Sequence, residues 1–298
     1  KGYDAYMAKV KSPAPAATSA KVAVIGGGPT GMSAAYFVGR AGIPVTIFER
    51  TGSLGGVVRQ VIPAFRISDA AIDKDVALME KMGVEVKLNT EAPSVSDLKA
   101  MGYTHIFFAV GAWKPGKLDI PGNVVGVIGW LKDMKAGKEV SLGHVAVVGG
   151  GNTAMDAARA ALRAGAKSST LVYRRTKKYM PADAEELELA IRDGVEFAEL
   201  LSPEKQEAGA LTCRRMVLGD PDESGRRRPV ETEERVQIPA DSVIAALGEG
   251  VDADLLAEYG VAVDAKGRAP FRNGNVFVAG DAHRGPATVV EAIADAKA

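Results

Sequence analysis

The chain contains one cysteine, Cys213, in 298 residues. A lone thiol cannot build a disulfide framework or a C-x-x-C redox pair, and it fits a reducing cytosol. It also rules out an iron–sulfur cluster ligated wholly within this segment, because such clusters need about four thiolates. Net charge is missing too: 37 basic residues balance 37 acidic ones. No basic field therefore points to nucleic acid or to an anionic membrane surface. No apolar run approaches the roughly eighteen residues that a spanning helix needs, and no secretory signal pattern opens the chain. Dithiol chemistry, self-contained cluster chemistry, nucleic-acid binding and membrane insertion are thus not expected. What remains is a cytoplasmic globular chain, 47% hydrophobic and 25% charged, long enough for two domains with real cores.

Two glycine fingerprints stand out against that background. The first, Gly26-Gly27-Gly28-Pro29-Thr30-Gly31, follows the apolar run Val22–Ile25, with Glu49 twenty-one residues beyond Gly28 and Arg50 next to it. The second, Gly149-Gly150-Gly151-Asn152-Thr153-Ala154, follows Val145–Val148, with Arg174 and Arg175 starting twenty-three residues beyond Gly151. A lone G-x-G-x-x-G is weak evidence. Strand, glycine turn, helix, second strand and charged residue within about thirty residues make a much stronger signal. The first glycine permits the tight turn, the second lets backbone approach a pyrophosphate, and the third lets helix pack on strand. Each following helix offers unpaired N–H groups and a positive dipole end to phosphates. An acid at the end of the second strand accepts hydrogen bonds from ribose hydroxyls, whereas arginines there neutralise a 2′-phosphate. The pair predicts two dinucleotides of different kinds: FAD on the first unit and NADP(H) on the second. The competing readings are two ligand-free βαβ turns, and for Arg174 and Arg175 a solvated strand end; their register favours the phosphate.

Along the chain, residues 1–20 end in an alanine- and proline-rich stretch that reads as a linker. Helices are expected at Thr30–Arg40, Ser68–Met82, Val127–Lys135, Ala182–Arg192 and from Thr288. Strands are expected at Val84–Leu88, His105–Val110 and Asn275–Val278, and a hairpin at Leu211–Leu218 and Arg235–Leu247 around the polar loop Gly219–Pro229. Alternating strands and helices predict parallel sheets wrapped on both faces, an α/β architecture of two Rossmann-like dinucleotide-binding domains. The chain starts without methionine and stops inside a helical pattern, which reads as a piece of a longer protein.

Together with VIPAFRIS, AVGAWKP, GGGNTAMDAARAALR, VYRRTKKYMPA and the GRRRPV loop, these motifs resemble the small (β) subunit of NADPH-dependent glutamate synthase and its relatives. Those relatives include the flavin half of dihydropyrimidine dehydrogenase and the NADPH-side subunit of bifurcating ferredoxin:NADP oxidoreductases. The detail is most similar to the branch of large iron–sulfur selenate reductase subunits. The resemblance covers about residues 21–298. It implies an FAD domain at 21–113 and 249–298 with an NADPH domain inserted at 114–248, the crossings falling near Gly111 and at Leu247-Gly248. By position it implies FAD contacts from Glu49, Leu54-Gly55-Gly56, Arg66 and Gly280-Asp281. A helix starting at Thr288-Val289 would aim its N-terminus at the flavin ring, where reduced flavin is negative. Relatives also carry an N-terminal domain whose cysteines ligate iron–sulfur clusters. An iron–sulfur domain or subunit is therefore the expected electron acceptor, while the terminal substrate lies outside this segment.

The remaining candidates read as structural. Lys177 and Lys178 are expected to be solvated, and Arg226–Arg228 to be surface charge in the hairpin loop. His105 and His144 adjoin strands and read as structural; His283, just after Gly280-Asp281, has a minor second reading beside the flavin. Cys213 reads as a buried, inert strand residue. Met155 and Asp156 read as packing or helix-end electrostatics. Glu185–Glu188 suit a helix N-terminus, with a second reading near the nicotinamide. The function expected is an FAD-dependent NADPH oxidoreductase module with no catalytic side chain, because cofactors carry the chemistry. The alternatives are a non-catalytic nucleotide-binding subunit, a ferredoxin:NADP-type bifurcating subunit, a flavin monooxygenase for which no oxygen-activating site is marked, and a flavin disulfide reductase, which lacks its second cysteine.

Overall fold

In the computed structural model, every residue is described except Lys1, Ser141, Ser224, Arg226 and 265–267. The chain divides into two compact units, Lys1–Lys114 with Glu249–Ala298, and Pro115–Gly248. The second is therefore continuous in sequence and inserted into the first.

Unit 1 is organised around a six-stranded sheet. Its strand order is Arg272–Asn273, Val276–Val278, His105–Phe108, Val22–Ile25, Val45–Phe48, Glu85–Lys87. Only the Arg272–Asn273 pairing is antiparallel. Val22–Ile25 and Val45–Phe48 are buried at every position, as central parallel strands covered on both faces must be. One face packs Ala23, Ile25, Ile106 and Phe108 against Leu98, Leu256 and Val278; the other packs Val24 and Ile47 with Met79 and Met82. The helix Pro29–Arg40 begins with proline in its first turn, where a missing N–H costs nothing. The C-terminal helix Val289–Lys297 packs against it.

Unit 2 repeats the plan with a five-stranded sheet in the order Val124–Gly126, Ser242–Ala245, His144–Val148, Ser168–Tyr173, Glu196–Glu199. All its pairings are parallel. The helix Asn152–Arg163 buries Ala154, Ala157, Ala158, Ala160 and Ala161, small side chains that let its backbone lie close to the sheet. A three-stranded antiparallel sheet, Leu201–Glu207, Ala210–Pro221 and Arg227–Pro239, completes the unit.

Helix Val127–Lys135 has the expected bounds, and Ser68 caps Asp69–Lys81 through Ala71 N–H. The expected strand Arg235–Leu247, however, is two strands. Pro239 closes the antiparallel one, Ala240 N–H bonds Gly209 O, and Asp241 N–H bonds His144 O at 2.7 Å. That pivot swings Ser242–Ala245 into the parallel sheet. The polar loop is shorter than Gly219–Pro229, because Leu218 pairs with Pro229 and Pro221 with Arg227. Arg226 lies outside the described residues. The tail read as a linker is docked on unit 1. Tyr3–Met7 is helical, Tyr3 Oη donates to Lys74 O, and Ala16 N–H bonds Gly42 O. Gly42 leaves that approach open: a Cβ there would sit 2.2 Å from Ala14 O.

Candidate dinucleotide sites

In an open α/β sheet, ligands settle outside the carboxyl ends of the strands, where the strand order reverses. Val22–Ile25 and His144–Val148 occupy that position in their sheets, each flanked on one side by the next strand of the chain and on the other by a later one. Both glycine fingerprints leave from those strand ends. The two turns are built alike. A Cβ on Gly26 would meet Ala109 O at 2.5 Å, and one on Gly149 would meet Ala246 O at 2.2 Å. A Cβ on Gly31 would lie 1.9 Å from Gly26 O; Ala154 fills the matching place in unit 2 and is fully buried. Gly28 and Gly151 are the N-caps of their helices, and no side chain caps either start. First-turn N–H groups are thus left for an anion.

In unit 1 further glycine backbone closes on the turn. Gly55 and Gly56 have φ of +112° and +52°, and a Cβ on Gly56 would come within 2.8 Å of Gly28 Cα. Gly280, at φ +63°, lies where a Cβ would strike Thr30 Oγ1 at 2.1 Å. The Leu54-Gly55-Gly56 segment, the first fingerprint and the Gly280-Asp281 turn therefore converge on one helix start. Such a cradle, open only because side chains are absent, suits a pyrophosphate. Leu54 is buried against Gly27.

Glu49 is buried at the end of its strand. Its Oε2 accepts from Gly27 N–H at 2.7 Å, and its Oε1 from Thr51 N–H and Oγ1, both at 2.7 Å. A carboxylate offers about four acceptor positions, so one is left for a hydroxyl while the others fix the turn. Arg50 is exposed. Arg66 is half-buried with its guanidinium 5.8 Å from the Phe65 ring. Gly111, at φ +75°, lies beneath Trp113, whose Nε1 donates to Val110 O.

Asp281 Oδ1 accepts from Ala287 N–H at 3.2 Å. Burial nevertheless raises its carboxyl above the usual range, against the lowering effect of that bond and of Arg284. The helix expected to point an open N-terminus at a ring is already capped. Thr288 and Glu291 form a capping box, with Thr288 N–H to Glu291 Oε2 at 2.9 Å. Glu291 thus places its own negative charge at that end.

In unit 2 a cavity of about 370 Å³ opens over the second fingerprint. Gly149, Gly151, Thr153, Arg174, Arg175, Leu247 and Gly248 all line it. Asn152 does not: its amide braces Asp183, the cap of the next helix, with Asp183 N–H to Asn152 Oδ1 at 3.1 Å. Arg174 is exposed and Arg175 half-buried, and Arg175 Nε is buried without a hydrogen-bond partner. Motif spacing leaves out the opposite wall, made of Leu118, Leu201, Ser202 and Pro203. That wall depends on Leu200, held at a left-handed φ of +58°. Its N–H bonds Arg175 O at 3.1 Å, and its carbonyl accepts from Met216 N–H at 2.8 Å. Nothing in the sequence of that wall signals it; Pro203 is tolerated because Leu201–Glu207 is an edge strand.

The remaining candidates have structural partners. Nδ1 of His105, His144 and His283 bonds Thr104 Oγ1, Ser168 Oγ and Ala269 O respectively. Cys213 is fully buried, and burial together with Glu204 pushes its thiol up to about 12, where it is inert. Met155 is buried. Glu185 and Glu186 occupy the first turn of Ala184–Arg192, and Lys178 lies 5.9 Å from the Tyr179 ring. Among the described residues, no helix is long and apolar enough to cross a membrane.

Residues 20–296 match the pyridine nucleotide-disulphide oxidoreductase family. The chain is 43% identical to the oxidoreductase YgfK of Escherichia coli, over 100% of this chain but only 30% of that protein. It thus spans less than a third of that relative. It is 33% identical to the glutamate synthase [NADPH] small chain of Escherichia coli, over 94% of this chain and 67% of that one. Among solved structures, FprA of Mycobacterium tuberculosis in complex with NADPH superposes with a TM-score of 0.75 at 20% identity, covering 93% of this chain and 82% of that one. At that identity the likeness speaks for the fold alone. The chain belongs to the pyridine nucleotide-disulphide oxidoreductase family, among relatives of the glutamate synthase small chain.

Proposed function

We propose that unit 1 holds FAD and unit 2 holds NADP(H), and that the chain is the NADPH-oxidising module of a larger electron-transfer enzyme. The observation that carries this is the contrast at equivalent positions of the two folds. A buried acid, Glu49, bonds the first glycine turn, whereas Arg175 reaches the cavity over the second with an unpaired buried nitrogen. In unit 1, the Gly28–Gly56 approach and the uncapped start of Pro29–Arg40 take the FAD pyrophosphate, Glu49 the adenosine ribose, and Asp281 the ribityl portion. Arg66 and the Thr288-Val289 helix start border the same cofactor. In unit 2, Gly151 and Thr153 take the nicotinamide dinucleotide's pyrophosphate, and Arg174 and Arg175 its 2′-phosphate. Bound together, the cofactors supply hydride transfer from NADPH to flavin, and the protein supplies binding and orientation.

The onward acceptor we assign is an iron–sulfur domain or subunit. The relative named as a small chain supports one polypeptide among several, and the single cysteine places any cluster elsewhere. A cytoplasmic setting accords with the lone reduced thiol, and the balanced charge supports neither a nucleic acid nor a membrane as partner. The test is anaerobic titration of the FAD-loaded protein with NADPH. Bleaching of the flavin absorbance band is expected. A band that stays unchanged despite bound NADPH sinks this reading and favours a non-catalytic nucleotide-binding subunit.

A further inference from the structure

Glu249 is the residue at which the chain re-enters unit 1. It lies on the short strand Glu249–Gly250, which pairs with Lys114–Pro115. The side chain is half-buried, and its Oε1 is buried with no hydrogen-bond partner. A buried carboxyl oxygen left unpaired is costly unless a ligand or water meets it. The charged group acting on it is Asp281, the acid of the second candidate FAD motif.

Resting on the FAD assignment above, we propose that Glu249 is a further cofactor-holding residue, presenting its buried carboxyl to the ribityl hydroxyls of FAD beside Asp281. The chemistry selects that part of the cofactor. Asp281 has the Ala287 N–H and the Arg284 cation to favour its ionised form. Glu249 has only a bond to its own backbone to oppose burial and Asp281, and these two push its carboxyl above the usual range. The nearby Lys114 ammonium is turned to Asp254 at 3.9 Å. Arg284 is shared with Glu291 and Asp295, the other acids facing Asp281. A carboxyl accepts from hydroxyl donors, which matches the ribityl chain. It does not match a pyrophosphate, which takes N–H donors and cations.

The experiment titrates the FAD-free full chain with FAD at pH 6, read by quenching of flavin fluorescence. Glu249→Leu removes both polar functions and is expected to weaken FAD binding about tenfold or more, while NADP+ binding stays as in the parent. Glu249→Gln keeps a donor and an acceptor and is expected to stay within about threefold of the parent at pH 6. A Leu variant that holds FAD as tightly as the parent overturns the proposal, as does a Gln variant that weakens as much as Leu. If the Leu variant does not fold, Glu249→Ala takes its place, and FAD affinity equal to the parent's overturns the proposal. A parent chain that binds no FAD refutes the FAD assignment itself, a distinct outcome.

Discussion

At the scale of single residues, the arginine pair in unit 2 is where sequence and geometry say different amounts. The dipeptide Arg174-Arg175 was legible from its register at the end of the second strand, and both side chains reach the cavity. The sequence does not rank them. Arg174 is exposed, where an ion pair with phosphate is weakened by water and salt. Arg175 has a buried Nε without a partner, and its backbone is fixed by Leu200, so its charge-assisted bond forms in a drier place and loses less entropy. Arg175→Ala is therefore expected to raise the dissociation constant for NADPH about 10- to 100-fold with that for NADH nearly unchanged, and Arg174→Ala to raise it only severalfold. Fluorescence titration with both nucleotides measures this. Equal losses for NADH and NADPH would mean that the arginines shape the pocket without reading the phosphate. Glu49 shows the reverse limit. Its position was legible, but its bonds to Gly27 and Thr51 were not, because they depend on how the turn folds back onto the strand.

At the scale of elements, long helices with caps were readable and short pieces in polar sequence were not. Asp69–Lys81 and Val127–Lys135 announce themselves by periodicity and capping chemistry. Leu201–Glu207 contains Pro203 and alternating charges, so nothing in its own pattern marks a strand; pairing with Ala210–Pro221 makes it one. The packing of Asn152–Arg163 on Ala184–Arg192 was equally hidden, since it rests on side chains about thirty residues apart in sequence. Arg159 Nε and Arg163 Nη2 both donate to Asp193 Oδ2 at 2.8 Å, and Arg159 Nη1 lies 3.8 Å from Glu186. Arg159 is only 8% exposed. Hydrogen bonds from the two arginines hold the Asp193 carboxyl below the usual carboxylate range. A carboxyl whose value is lower folded than unfolded stabilises the fold above its unfolded value; that contribution is lost as pH falls through the folded one. Asp193→Asn should thus cost about 1–2 kcal/mol at pH 7 by urea unfolding, and the gap should close as pH drops below about 4. A gap that does not change with pH across the acid range would assign the loss to packing instead of charge.

At the scale of the whole molecule, the two units differ in how their sheets are assembled. Unit 2 is drawn from one continuous stretch, Pro115–Gly248. Unit 1 must bring Val276–Val278 beside His105–Phe108, a closure across the whole inserted unit that raises its loop-closure cost. Two glycine fingerprints with opposite charges point to two sheets, each with its own switch point, whereas the insertion is what the family resemblance implies. The crossings near Gly111 and at Leu247-Gly248 rest on that resemblance, since glycine turns there look like those that end other strands. If each fingerprint serves its own cofactor, ligands should stabilise the units separately, each by about 2.7 kcal/mol at a hundredfold excess over its dissociation constant. Hydrogen exchange followed by mass spectrometry can resolve this. FAD is expected to slow exchange in peptides spanning residues 26–35 and 276–283, and NADP+ in those spanning 149–158 and 171–175. The continuous unit 2 should respond to NADP+ even in samples stripped of FAD, because its sheet and cavity are complete within 115–248. Protection of residues 26–35 by NADP+ alone, with none at 149–158, would exchange the two assignments. The charge at the end of the second strand would then no longer explain which cofactor each sheet selects.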